Sequence, residues 1–301
     1  MKKIIGLGGC EGNKEEVFQY AWDRGIRFFD SGFGYSGIGV NDKFLGDFLK
    51  DKKREEYQIC NKLPLFDGLY QEEFKKSRFE MNDEELEFAI RKTLEIQLKR
   101  CGVEYFDIYM YHAIYDEQHQ QDFDLERWTF EYKRIGKVLA KLKTEGLIKE
   151  IGFSSHVSFE KLYYFITEME NAFGKDFMKY AEVSYNILND TGRPSKIAEL
   201  YSVNVWPSAG LKGLKFLKEH NFMIIDMMPT ESGRVKQIST APDWFDWAYR
   251  FIRETNEIDM VLAGTSSVNH LNQFIDIFEE KDLQRIPDMR DIDSGIKHCH
   301  E

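Results

Sequence analysis

The amino-acid sequence predicts a single (β/α)8 barrel of the α/β class, with its active site at the C-terminal ends of the strands. Three observations lead there. Eight short runs rich in β-branched and aromatic residues alternate with longer amphipathic segments over nearly the whole chain, the pattern of parallel strands joined by helices. No Pro/Ser-rich linker, low-complexity tract or charge block divides the 301 residues, of which 42% are hydrophobic, enough for one substantial core. The first βα turn, GLGGCEG at 6–12, lacks the spacing of the dinucleotide fingerprint that an open doubly wound sheet would carry.

The expected strands are 4–7, 27–31, 57–63, 105–111, 148–153, 181–185, 222–228 and 258–263. Helical patterns lie near 14–24, 41–50, 83–100, 127–145, 158–173, 209–220, 243–255 and 267–280. Asn82 and Ser158 read as N-caps because an acidic first turn follows each, which suits the positive end of a helix. Gly25, Gly102 and Gly146 each stand between a helix and the next strand, where a left-handed C-cap is needed. The barrel is expected over 1–285, followed by a tail at 286–301. Two loops, 64–81 and 112–126, are longer than the scaffold requires and fall on the face where such barrels hold their chemistry.

A net charge of −11 and no basic stripe argue against a nucleic-acid or anionic-membrane partner. Cys10, Cys60, Cys101 and Cys299 are scattered without paired spacing, which fits a reducing compartment rather than a disulfide framework. The residues up to Gly9 form too short an apolar run for a signal peptide, and nothing approaches the ~20 apolar residues of a membrane span. A cytoplasmic protein is expected.

Strand-end positions of a barrel can be named directly. Asp30 ends the second strand, Lys62 the third and His112 the fourth, while Tyr35 follows Asp30 by five residues in the glycine-rich SGFGYSGIG. A phenol of pKa ~10 is a poor acid at neutral pH, but a neighbouring ammonium favours its ionised form, and a carboxylate can hold that ammonium. A histidine adds a donor for a carbonyl oxygen. Singly these are ordinary residues: a loop-capping aspartate, a turn tyrosine, a core histidine. A lysine at a buried strand end is less ordinary, and the four together point to proton transfer at a carbonyl.

At this point the motifs resemble a known family. GIRFFDSGFGYSG, ICNKLP, LKRCGVEYFDIYMYH and GLIKEIGFSSH are similar to four successive segments of the aldo-keto reductase superfamily, and the similarity spans about residues 4–280. It is nearest to the branch that often carries a C-terminal ferredoxin-type extension. The resemblance implies a small-molecule carbonyl substrate reduced with NADPH, NADH being possible, with Tyr35 as general acid, Lys62 and Asp30 tuning it, and His112 orienting the carbonyl. It also implies a cofactor shell of Ser154, Ser155, Glu182, Met227, Gly233, Arg234, Gly264, Thr265 and Ser266.

This chain departs from the family pattern at several of those positions. Glu182 stands where the family has glutamine, and Met227 where an aromatic often covers the nicotinamide. Ser266 and Ser267 replace the basic residues that favour a 2′-phosphate, with His270 the only titratable substitute nearby. The ending IKHCHE lacks a cluster motif, so neither iron–sulfur cluster nor metal site is expected. Two other readings follow from these departures: a sensory barrel that binds nicotinamide with little turnover, and a metal-dependent hydrolase, disfavoured because Lys62 would repel the cation. Phe33, Phe66, Tyr115 and Trp128 are candidate pocket aromatics.

Overall fold

A computed structural model of the chain describes residues 2–9, 14–32, 39–64, 76–115, 124–238 and 244–279. Eight parallel strands close into a barrel in sequence order. They are β1 Ile4–Gly8, β2 Phe28–Asp30, β3 Gln58–Leu63, β4 Phe106–Ile114, β5 Ile148–Ser155, β6 Tyr180–Val183, β7 Met223–Asp226 and β8 Met260–Ala263. The helices are α1 Glu15–Asp23, α2 Val40–Leu49, α3 Asp83–Cys101, α4 Leu125–Thr144, α5 Phe159–Phe173, α6 Lys196–Leu200, α7 Gly210–Glu219, α8 Trp244–Glu254 and α9 Val268–Glu279. The expected division at residue 285 falls outside the described residues, as do Cys10 and Cys299. Among the described residues no helix is long and apolar enough to cross a membrane.

Period-two alternation sorts each strand into an outer and an inner face. The outward residues Leu7, Phe29, Ile59, Tyr109, Ile151, Ala181, Ile224 and Val261 join the apolar stripes of the helices in one large core. The inward residues form a second cluster inside the barrel: Phe28, Cys60, Ile108, Met110, Ile225, Met260 and Leu262, with Tyr180 and Met227 packed on it. This filled interior makes the barrel a packed core and not a pore. β1 contributes little volume to it. A Cβ on Gly6 would stand 2.7 Å from both Phe28 and Leu262, so the absence of a side chain there leaves room for its two neighbours.

The helix ends follow local chemistry. Asn82 caps α3 in a full capping box with Glu85, and Gly102 ends it at φ 65°. Ser158 takes the N-cap position of α5 with extended backbone, but its side chain makes no capping hydrogen bond. β4 runs three residues beyond the expected end because a register shift lies between Tyr111 and Ile114, with Ala113 at φ 52°. β6 stops before the expected 185 because the Tyr185 amide donates to the Asp226 carboxylate at 3.3 Å instead of to a ladder carbonyl. Outside the expected elements lies 186–209, which contains α6 and seats Ile187, Leu188, Ala198 and Val203 in a satellite core with Val235 and Ala248.

Tyr115 and Trp128 do not line a pocket. Tyr115 is 1% exposed, stacked edge-on against Tyr132 and Phe165, and Trp128 packs on Phe79. Both rings serve the core between the sheet and its helices. Phe33 and Phe66 lie outside the described residues.

Gly6→Val should overpack the barrel interior against Phe28 and Leu262, costing about 1–3 kcal/mol. Urea denaturation monitored by circular dichroism checks this; a midpoint equal to wild type would mean that the interior is not filled as described.

Candidate active site

The same alternation that packs the interior decides which polar side chains face the mouth. Counting two residues up from interior Phe28, Cys60 and Met110 reaches Asp30, Lys62 and His112; from interior Tyr180 it reaches Glu182. Lys62 is fully buried, and its ammonium donates to the Asp30 carboxylate and, at 3.3 Å, to the Ser31 carbonyl. Its third neighbour is Glu182, 3.2 Å away. In an eight-stranded ring β2 and β6 are four strands apart, so Lys62 joins opposite walls of the barrel.

His112 sits on the next strand round. Burial, then the Lys62 charge, then His156 hold its imidazole neutral, with pKa down to about 3. The backbone just beyond is strained: Ala113 and Tyr115 adopt φ 52° and 50°. The Ala113 amide donates to Ser154 Oγ at 2.9 Å, which leaves the serine hydroxyl proton to donate elsewhere. Ser155 is buried beside it.

Outward-facing neighbours of the site residues are anchored in turn. Ser31 Oγ donates to Asp42 Oδ1 at 2.6 Å, and Asn61 Nδ2 donates to the same oxygen at 2.9 Å. Gln97 Nε2 donates to Asn61 Oδ1 and to the Lys62 carbonyl, both at 2.9 Å, and Tyr109 Oη donates to Gln97 Oε1 at 2.6 Å. Asp42, Asn61 and Gln97 are fully buried, so α2 and α3 grip the strand ends that carry Asp30 and Lys62. Burial raises the Asp42 pKa against the hydrogen bonds that lower it. These positioning residues were not singled out from the sequence; their signal was the polar residue adjacent to each site residue, Ser31 after Asp30 and Asn61 before Lys62.

The other mouth positions are held as follows. Met227 is partly buried on the interior cluster. Glu231, Ser232 and Gly233 are three successive positive-φ residues, at 50°, 53° and 78°. Glu231 is fully buried, accepting from Asn186 Nδ2, Asn189 Nδ2 and the Trp206 amide, so the loop after β7 is tied to the segment after β6. Arg234 donates to the Asn204 carbonyl at 3.0 Å and lies 3.8 Å from Glu231. A Cβ on Gly233 or Gly264 would meet nothing within 4 Å. Thr265 Oγ1 accepts from the Ser267 amide at 3.1 Å, and Ser266 lies between them just ahead of α9. Tyr35 falls at 33–38, outside the described residues.

A cavity of about 520 Å³ opens at the opposite end of the barrel. Its cations are already committed: Lys3 to the Thr255 and Ile258 carbonyls, Arg27 to those of Trp22 and Ile26, Arg24 to Asn272 and Asp276. The convergent titratable groups are at the other end, where barrel chemistry resides.

A family model described as "Aldo/keto reductase family" matches residues 11–294. A Glycine max protein named "Probable aldo-keto reductase 1" is 33% identical over 138 residues, 46% of this chain and 34% of that protein. The D-threo-aldose 1-dehydrogenase of a Pseudomonas species is 29% identical over 153 residues, 47% of this chain and 44% of that enzyme. This chain thus matches less than half the length of either relative. In fold it is similar to an aldo-keto reductase from Klebsiella pneumoniae solved in complex with NADPH, with a TM-score of 0.60 and 15% identity over 93% of this chain and 87% of that one.

Two outcomes follow. Asp42→Ala strands the Ser31 and Asn61 donors inside the protein, and each stranded group should cost about 1–3 kcal/mol; a loss below 1 kcal/mol in urea titration would mean the network does not brace the strands. His112 binds its proton more weakly folded than unfolded, so stability present near neutrality should be lost as pH falls from about 6.5 toward about 3. His112→Gln should therefore lose less stability than wild type between those values, read as the difference in unfolding free energy.

Proposed function

The chain belongs to the aldo/keto reductase family, and on that basis we propose that it transfers hydride between NADPH and a small-molecule aldehyde or ketone, with Tyr35 as general acid. The observation that carries the reading is the buried Lys62 ammonium, paired with Asp30 at the mouth and flanked by a neutral His112.

A buried cation beside a phenol favours the phenolate, which makes the phenol a better acid. On this reading Tyr35, just beyond β2, hands its proton to the carbonyl oxygen as negative charge develops there. Lys62 stabilises the phenolate left behind, and Asp30 keeps the ammonium charged and aimed. His112 is neutral and so can offer an N–H to the carbonyl oxygen without competing for the proton. In the reverse direction Tyr35 is the base; the D-threo-aldose 1-dehydrogenase activity named for one relative is consistent with a family site that runs either way.

A bound nicotinamide supplies the hydride. The residues present fit such a dinucleotide. Ser154 has a hydroxyl proton to donate to the carboxamide, with Ser155 beside it and Glu182 across the β5–β6 register. Met227 offers a partly buried apolar surface to a ring. Gly233 and Gly264 border open space where a backbone can approach a phosphate, and the Arg234 guanidinium borders the same loop. Thr265 and Ser266 lead into the amide-rich start of α9. Because Ser266 and Ser267 carry no charge, the 2′-phosphate contributes less than a fixed cation would, and NADH is expected to serve as well, less efficiently. The Klebsiella relative was solved with NADPH.

Cofactor oxidation followed at its absorbance band with a panel of aldehydes tests this reading. Tyr35→Phe should cost about 10² to 10⁴ in turnover while calorimetric cofactor affinity stays near wild type, and Lys62→Met should do likewise. Unchanged turnover in Tyr35→Phe would overturn it. Tight cofactor binding without turnover on any carbonyl would favour the sensory reading, for which the Glu182 and Met227 departures speak.

A further inference from the structure

Lys62 brings one positive charge to the barrel axis, and two carboxyl groups meet it there. Carboxyl oxygens of Asp30 and Glu182 and the Cys60 sulfur lie within 4.8 Å of one another. All three residues are at most 3% exposed, above an interior of Phe28, Ile108, Met110, Ile225, Met260 and Leu262. Two ionised carboxylates around one ammonium would leave a net negative charge in a site buried away from bulk solvent. Such a charge is relieved by binding a proton.

The geometry indicates which carboxyl takes it. Asp30 accepts a direct hydrogen bond from Lys62. Glu182 has an ion pair with Lys62 at 3.2 Å, but among the described residues neither of its oxygens accepts a well-directed hydrogen bond. An ionised carboxylate without such bonds is the costlier of the two to keep. We propose that Glu182 is a positioning residue that carries an exchangeable proton at neutral pH, making Asp30, Lys62 and Glu182 a net-neutral unit at the floor of the mouth.

The surroundings agree. Burial first, then the Asp30 charge, push Glu182 up to about 8 against the opposing pull of Lys62. From β3, Cys60 stays a thiol because burial and Asp30 raise its pKa. From β4, His112 is neutral, and burial keeps Tyr180 of β6 itself a phenol. The interior residues Ile225 of β7, Met227 just after it, and Met260 and Leu262 of β8 bring no charge. Among the described residues Lys62 is the cation of this cluster, and the proton on Glu182 completes its neutrality. When the proton leaves, a second anion faces Lys62 and opposes charge forming on Tyr35 as it gives up its own proton. That last step rests on the reductase reading; the proton on Glu182 does not.

Infrared titration of the purified full chain reads the proton directly, through the carbonyl stretch of a neutral carboxylic acid. Wild type should show a band that Glu182→Gln lacks and that disappears as pH passes about 8. Because Glu182 binds its proton more tightly folded than unfolded, wild type should also lose stability relative to Glu182→Gln as pH rises from about 4.5 to about 8. Identical bands in the two proteins would overturn the proposal, as would a band lost in Asp30→Asn and kept in Glu182→Gln. Should Glu182→Gln fail to fold by circular dichroism, ¹³C-glutamate labelling of the unmodified chain reads the same event: a carboxyl resonance titrating near pH 8 supports the proposal, and glutamates all titrating below about pH 6 overturn it. If carbonyl reduction is detectable, kcat should fall severalfold above pH 8 in wild type and less in Glu182→Gln. An infrared difference with identical kcat profiles overturns the coupling to Tyr35 alone, and a chain without turnover overturns the reductase reading while the infrared result still decides the proton.

Discussion

A fully buried ammonium on the axis of a β/α barrel is expensive unless anions reach it, because removing a charge from water costs several kcal/mol that only close, well-aimed partners recover. Lys62 meets this condition with the Asp30 anion from β2, and the Glu182 carboxyl reaches it from β6 on the opposite wall. The arrangement therefore depends on ring closure: an open sheet with the same strands would leave β6 far from β2. It also depends on strand register, since a slip of one residue would turn Asp30 or Lys62 to the outer face. The buried chain of Ser31, Asp42, Asn61, Gln97 and Tyr109 prevents that slip by fastening the outward neighbours of both residues to α2 and α3.

Strain is distributed in the same sense. Among the described residues six non-glycine residues are at positive φ, and four of them, Ala113, Tyr115, Glu231 and Ser232, lie at the end of β4 or in the loop after β7. Each pair is held by polar groups from a neighbouring segment: Ala113 by Ser154, Tyr115 by the Tyr132 hydroxyl, and Glu231 by Asn186, Asn189 and Trp206. The opposite rim has Asn221 at φ 64° ahead of β7, and cations spent on carbonyls and carboxylates. Among the described residues most of the non-glycine strain thus lies at the end where the titratable groups gather.

Much of this was legible in the sequence because it depends on local period. Strand alternation and helix caps locate every strand, and they put Asp30, Lys62 and His112 at strand ends without any knowledge of closure. Glu182 shows where that ends. Its position on β6 was readable, but its partner was not, since a contact across the barrel leaves no trace in either strand's own pattern. Tyr115 and Trp128 were misread as pocket aromatics for a similar reason. A ring beside a long loop looks exposed until the helix that covers it, α4 with Thr129 and Tyr132, is placed. The segment 186–209 carries no such signal because its apolar residues are too few and too irregularly spaced to show a period, although they bury well once the 234–238 turn and α8 surround them.

The mouth also bears on how an anionic ligand would be held. Arg234, the nearest guanidinium to the loop after β7, already donates to the Asn204 carbonyl and faces Glu231. Ser266 and Ser267 bring hydroxyls where a cation would make an ion pair, and the chain as a whole carries a net charge of −11. If a dinucleotide binds here, its phosphates therefore depend chiefly on backbone amides at Gly233, Gly264 and the start of α9, short-range dipoles fixed by the fold. Long-range charge attraction would contribute little, and would be opposed by the protein's own field. Affinity would then follow the geometry of those loops, because amide dipoles act only at contact range. The Glu231 anchor acquires a specific importance on this view: by binding the loop after β7 to the segment after β6, it keeps the Gly233 surface in place before any ligand arrives.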